Sequence, residues 1–347
     1  MAFTTIDNPE LYFQTKLYTG TGSSHAITLD GSENMQPDWV WIKRRNSAGG
    51  HMLTDVIRGV TKTIITNETG AEQTFSNGLT AFGSDGFTVG SEDGFNASSD
   101  TFVAWNWKAG TSFSNDASST GVGSLDSSGS KNTTAGFSII SFTGTESGTP
   151  SIAHGLSSTP EFIISKARDV SDNWMVFHGS FSAQEYISLN STGAKASASS
   201  VWNSLPSSTV INMGDNAGVN DDGAMIMYAF HSVQGFSKFG NYTGNGSADG
   251  NFVYLGFKPA FILLKGTANS ENWSIYDNRR EGYNVDNDLL NSNTGNAEGT
   301  SDDIDLLSNG FKVRRQTGLL NDAQNYIYMA FAESPFVTSG GVPTTGR

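Results

Sequence analysis

The chain predicts an all-β protein built of three tandem antiparallel β-sandwich modules of about 100 residues each, jelly-roll or lectin-like in type. Three observations predict it. The sequence repeats internally, its apolar runs are β-branched, aromatic and strand-sized, and no segment sustains a 3.6-residue period with caps.

The repeat sets the frame for every element. Thr143-Gly144 and Thr243-Gly244 stand 100 residues apart, and Phe137 and Phe236 stand 99 apart. Pro160-Glu161-Phe162-Ile163-Ile164-Ser165-Lys166 aligns with Pro259-Ala260-Phe261-Ile262-Leu263-Leu264-Lys265, and each block leads to an Asn-Trp pair, Asn173-Trp174 and Asn272-Trp273. Met227-Tyr228-Ala229-Phe230 and Tyr328-Met329-Ala330-Phe331 close the two units. The first third fits the same frame through Thr19-Gly20, Pro37-Asp38-Trp39-Val40-Trp41-Ile42-Lys43 and Ala104-Trp105-Asn106-Trp107.

The Pro-to-Lys blocks read as strands with Pro at the start, where no ladder donor is lost. Asp85-Gly86 and Asn309-Gly310 are hairpin turns, each followed by Phe, a polar residue and Val. The expected organisation is an N-terminal arm at 1–13, modules at 14–110, 137–235 and 236–336, and a tail at 337–347. Residues 111–136, rich in Ser, Gly, Thr, Asn and Asp, read as a flexible linker.

Composition excludes several functions. Of 347 residues only 16% are charged, with 20 basic against 34 acidic residues and a net charge of −14. The longest basic run is Lys43-Arg44-Arg45, so nucleic acid is not an expected partner. Apolar runs such as Phe261-Ile262-Leu263-Leu264 are too short to span a membrane, and the start does not read as a signal peptide. With no Cys, disulfides, thiolate metal sites and Cys nucleophiles are excluded.

No catalytic motif is present: there is no phosphate loop, no His-Glu-x-x-His and no Gly-x-Ser-x-Gly elbow. His25, His51, His154, His178 and His231 stand apart in sequence. The acidic clusters Asp221-Asp222, Asp286-Asn287-Asp288 and Asp302-Asp303-Ile304-Asp305 lack calcium-loop spacing and read as solvated loop tips. The expectation is therefore no catalytic residue, no metal and no cofactor.

Aromatic positions divide by the repeat. Trp39, Trp41, Trp105 and Trp107 register with Phe, Ile or Leu in the other modules, which marks them as core volume. Trp174 and Trp273 register with His51 and are the better candidates for partly exposed, partner-contacting aromatics. Asp55 and Arg58 register with Asp277 and Arg280, whereas the second module has His178 and Phe181 there. A pair three apart reads as a local salt bridge, or as a ligand or subunit contact specific to two modules. Lys43, Lys166 and Lys265 end the same strand in each module and read as edge-blocking lysines.

Several segments resemble a family of tailed-phage virion proteins, frequent in marine and cyanobacterial phages and tail-fibre-like. They are Asn8-Pro9-Glu10-Leu11-Tyr12-Phe13-Gln14-Thr15-Lys16, Tyr18-Thr19-Gly20-Thr21-Gly22, Gln36-Pro37-Asp38-Trp39-Val40-Trp41-Ile42-Lys43, Arg58-Gly59-Val60-Thr61-Lys62, Ala104-Trp105-Asn106-Trp107-Lys108-Ala109-Gly110 and Gly341-Val342-Pro343-Thr344-Thr345. The resemblance implies a structural virion protein assembled in a host cytoplasm, a tail fibre or tail-associated adhesin contacting host surface glycans. Its partners would be other virion proteins and further copies of itself, a trimer by analogy with fibres. The arm would anchor it, and the variable segments 64–77, 190–208 and 284–303 would form its contact surface. A capsid decoration or head-fibre protein is the alternative, and a tailspike-type glycan-degrading enzyme a further one.

Overall fold

A computed structural model describes residues 4–280, 284 and 286–345. The fold is all-β, with several antiparallel sheets and, among the described residues, none closed into a barrel. Each Pro-to-Lys block is an interior strand rather than an edge. Trp39–Arg44 lies between Thr101–Trp107 and His51–Asp55, and Phe13–Thr19 pairs with the far side of Thr101–Trp107. The same order recurs with Phe162–Ala167 between Ala224–Phe230 and Met175–His178, and with Phe257–Gly266 between Asn325–Pro335 and Ser274–Asp277.

These strands are apolar on both faces because both faces are covered. Alternate residues point opposite ways. In the first repeat Val40 and Ile42 join Ile27, Phe87 and Val89 of a smaller sheet formed by His25–Thr28, Leu79–Gly83 and Gly86–Val89. In the third, Ile262 and Leu264 pack with Phe311 and Val313. The opposite faces, with Trp39, Trp41, Trp105 and Trp107 from the first repeat, Phe137, Phe162 and Phe230 from the second, and Phe261, Phe239 and Phe331 from the third, converge on one shared core. There Trp107 and Phe331 lie 5.6 Å apart, Phe230 and Phe331 6.0 Å, and Trp39 and Phe230 5.7 Å. The tryptophans read as core volume are thus buried, but they fill a core common to all three repeats.

Three expectations need correction. The 111–136 segment is folded: Thr111–Asn115 and Ser127–Asn132 pair with each other and extend the second repeat's sheet beyond Phe137–Thr143. Asp116 caps the short helix Ala117–Thr120 between them by accepting from Ser119 N. The N-terminal segment is not a free arm, since Thr4 Oγ1 donates to Gln234 O and Ile6 is buried in the shared core. Asp7 accepts from Ser339 N at 2.6 Å and from its hydroxyl, which joins this segment to the tail. Finally, Lys43, Lys166 and Lys265 protect no edge, because their strands are interior and the side chains are buried.

Candidate functional site

Asp55 ends the strand His51–Asp55, and its Oδ1 accepts from Ile57 N and Arg58 N, both at 2.9 Å. That turn brings Arg58 back so that Nε meets Asp55 Oδ2 at 2.5 Å and Nη2 donates to Leu53 O. The carboxylate's remaining donor comes from another repeat: Tyr228 Oη donates to Oδ2 at 2.7 Å. Glu72 then links Arg58, at 3.5 Å, to Arg168 of the second repeat, which it holds bidentately at 3.0 Å. Burial opposes the charge on Arg58, but Asp55, Tyr228 and Glu72 outweigh it and hold its pKa above the ordinary value.

The third repeat builds the same device against the first. Asp277 Oδ1 accepts from Arg279 N and Arg280 N, and Arg280 Nε meets Oδ2 at 2.6 Å. Trp105 Nε1 donates to Asp277 Oδ2 at 3.0 Å, and Glu298 joins Arg280, at 2.9 Å, to Arg45. Both Asp–Arg pairs are fully buried, not exposed local salt bridges.

At the junction of the second and third repeats the side chains of this ion-pair network are all replaced. His178 and Phe181 replace Asp and Arg, Lys195 stands for Glu72 and Glu298, and Thr267 stands for Arg168 and Arg45. Lys195 Nζ sits 5.3 Å over the Phe181 ring, and Lys195 N still donates to Thr267 O, as Glu72 N does to Arg168 O and Glu298 N to Arg45 O. The reason lies across the joint. Where the other two junctions offer Tyr228 or Trp105, this one has Met329, which has no N–H or O–H to donate. A carboxylate there would be buried one donor short, which is costly.

Trp174 and Trp273 are not partly exposed; both are fully buried. Trp174 Nε1 donates to Ile65 O at 3.3 Å and Trp273 Nε1 to Ser188 O at 3.0 Å, each into the preceding repeat. His51 performs the same task, with Nε2 3.1 Å from Asn291 O of the third repeat and Nδ1 accepting from Trp41 Nε1. The position is held by an Asn in every repeat, since Asn67, Asn190 and Asn293 accept the backbone N–H of His51, Trp174 and Trp273. A ring N–H is therefore the common requirement, and it closes the three repeats into a ring. Trp174→Phe keeps the volume but removes this cross-repeat bond, leaving the Ile65 carbonyl with Glu68 N alone, so a loss of about 0.5–1.5 kcal/mol is expected in urea unfolding. An unchanged midpoint would show that the bond contributes nothing.

Two of the three buried lysines, Lys43 and Lys265, also reach across a joint, while Lys166 bonds within its own repeat. Lys43 Nζ donates to Arg44 O and Gly295 O, Lys265 Nζ to Gly266 O and Thr192 O, and Lys166 Nζ to Ala167 O and Val170 O. Burial pulls each down to about 8, from the ordinary lysine value of 10.5. The segments 64–77 and 190–208, and the described part of 284–303, supply residues to these joints, and they also carry exposed residues such as Gln73 and Leu205. Residue 285 and the side chains at 286, 287, 301 and 302 lie outside the described residues.

Two clefts among the described residues are roomy enough to matter for binding. One, about 780 Å³, runs beside the 111–132 hairpin and is lined by Ser, Asn and Asp together with Arg168. The other, about 460 Å³, lies where the second and third repeats meet the tail, between Glu161, Gln234, Lys238, Tyr254 and Phe336. Among the described residues no three His, Asp or Glu side chains are grouped to hold a metal, and no helix is long and apolar enough to cross a membrane.

Fold and joints together define an all-β protein whose repeats are locked to one another through buried hydrogen bonds and ion pairs. By sequence the chain belongs to a family described as a domain of unknown function, DUF7483, whose match covers residues 8–335. No curated protein and no solved structure matches it.

Proposed function

We propose that the chain is a structural virion protein of a tailed phage, a tail fibre or tail-associated adhesin that contacts host surface glycans. We further read it as three β-sandwich modules, 14–110, 137–235 and 236–336, with the hairpin at 111–136 belonging to the second. The observation that carries this reading is the closed ring of repeats. Ionisable groups that sequence singled out are spent on joints, which leaves a rigid, lightly charged scaffold presenting its outer clefts. Such a scaffold suits an appendage exposed outside the cell without disulfides, and the Trp39-Val40-Trp41-Ile42-Lys43 block supports the virion context by resemblance. Threefold packing is already supplied within the chain, so association with further copies would add units along or around that arrangement.

A second reading is favoured by the same ring: a repeat arrangement of threefold character matches a threefold position of a capsid lattice, as a decoration protein would occupy. Antibody-gold labelling of intact particles separates the two. Label at the tail end or along fibres is the expected result, and label spread over the head overturns the adhesin reading in favour of decoration.

A further inference from the structure

The strand Phe252–Tyr254 has its two outer side chains exposed, Phe252 at 47% and Tyr254 at 53%, while Val253 between them is buried. The fold does not require these rings. In the first repeat the matching strand pairs in the same register and carries Ala26 and Thr28 at those positions. In the second repeat the positions hold Ser151 and Ala153. Exposing two aromatic rings side by side is unfavourable in water unless something covers them.

What lies beside them defines the occupant. Tyr254 forms one wall of the cleft of about 460 Å³, a size that accommodates a small organic ligand. Lys238 Nζ donates to Tyr254 O at 2.7 Å and sits 5.5 Å from the ring centroid, fixing the ring from one side. The same cleft is lined by Glu161, whose Oε2 accepts from Ser232 N at 2.5 Å, and Gln234, which supply polar atoms, and by Leu255 and Phe336, which supply apolar surface. A flat ring beside a carboxylate and an amide fits a molecule with one C–H face and a rim of hydroxyls. An all-apolar ligand would leave the Glu161 and Gln234 side of the cleft without polar contacts, and the chain's net charge of −14 disfavours a polyanion.

We infer that Tyr254 and Phe252, with Glu161, Gln234 and Lys238, form a binding site for an uncharged pyranose-type saccharide. The proposal rests on the glycan-contact reading above and names its site. The test is saturation-transfer NMR on the full chain with soluble oligosaccharides of glucose, galactose, mannose and N-acetylglucosamine. Transfer to at least one of them is expected. The double variant Phe252→Ser/Tyr254→Ala, which installs the second repeat's residues, should weaken that binding at least about tenfold with an unchanged melting temperature. Undiminished binding by the variant overturns this site and leaves the glycan reading standing. No transfer from any of the four overturns the site, while the gold label on particles judges the adhesin reading separately. If sedimentation shows a wild-type dimer that the double variant abolishes, the occupant is a second copy and the saccharide assignment is overturned.

Discussion

Replacing Arg280 by Met is expected to cost about 3–5 kcal/mol of stability, because it leaves a buried carboxylate without its counter-charge. Asp277 would keep its backbone donors and the Trp105 N–H, but both pair members are fully buried, so water cannot take the place of the guanidinium. Glu298 would lose one of its two arginines and Ile275 O its donor. Arg58→Met should behave alike at the other junction. Arg279→Met is the control: its side chain is 43% exposed and faces Glu10 at 3.4 Å, so a change within about 0.5 kcal/mol is expected. Urea unfolding followed by tryptophan fluorescence reads all three. Equal midpoints for Arg280→Met and Arg279→Met would show that the buried network does not hold the junction.

Acid should unfold the protein before its carboxylates are extensively protonated. Burial pushes His154 and His178 down to about 4, and burial likewise pushes His51 well below its ordinary value. All three are neutral in the folded state, and the unfolded chain takes up their protons near pH 6.5. A folded pKa below the unfolded one means that the stabilisation is complete above about pH 6.5 and is lost as the pH falls toward 4. At 1.36 kcal/mol per unit, His154 and His178 each contribute about 3 kcal/mol to that loss, a large share of a typical folding free energy. The surroundings offset burial only in part: Ser207 O, 3.3 Å from His154 Nε2, and the backbone of Tyr328 and Gly240 beside His178 favour the protons. His154 faces His231 and Lys131, its Nδ1 accepts from Leu156 N, and His178 Nδ1 accepts from Ser180 N. His51 already accepts from Trp41 with Nδ1, the atom a second proton would need. Urea midpoints should fall steadily between pH 7 and pH 5. The His154→Asn/His178→Asn variant should flatten that slope; an unaltered slope would assign the acid sensitivity elsewhere.

The repeat, the strand positions and the burial of Trp39, Trp41, Trp105 and Trp107 were legible because each rests on local pattern. The 111–136 hairpin was not. Ser127–Asn132 is a run of small polar residues, and strands added at the margin of a sheet draw on backbone bonds that sequence pattern does not reveal. The joints were hidden for a different reason. Arg45, Glu72, Arg168 and Glu298 were not singled out, because ion pairing across repeats is a choice of tertiary partner. A signal did exist. Asp55 and Arg58 become His178 and Phe181 where Glu72 becomes Lys195, Arg168 becomes Thr267 and Tyr228 becomes Met329. Five positions changing together mark one contact, and Met329 names the missing donor. Lys43, Lys166 and Lys265 misled because a long side chain can deliver its ammonium to carbonyls from inside a sheet.

The bond between Arg45 and Glu298 spans 253 residues of chain, and that separation has a kinetic side. During synthesis the first repeat must wait for those 253 residues before its joint with the third can form. Until then His51, Trp105 and Arg45 lack their far partners, and the large aromatic face of the first sheet is uncovered. Topologies dominated by such distant pairings fold slowly and pass through aggregation-prone intermediates. The nascent chain therefore stays vulnerable until the strand Asn325–Pro335 has been made, since that strand brings Phe331 against Trp107 and covers the aromatic face.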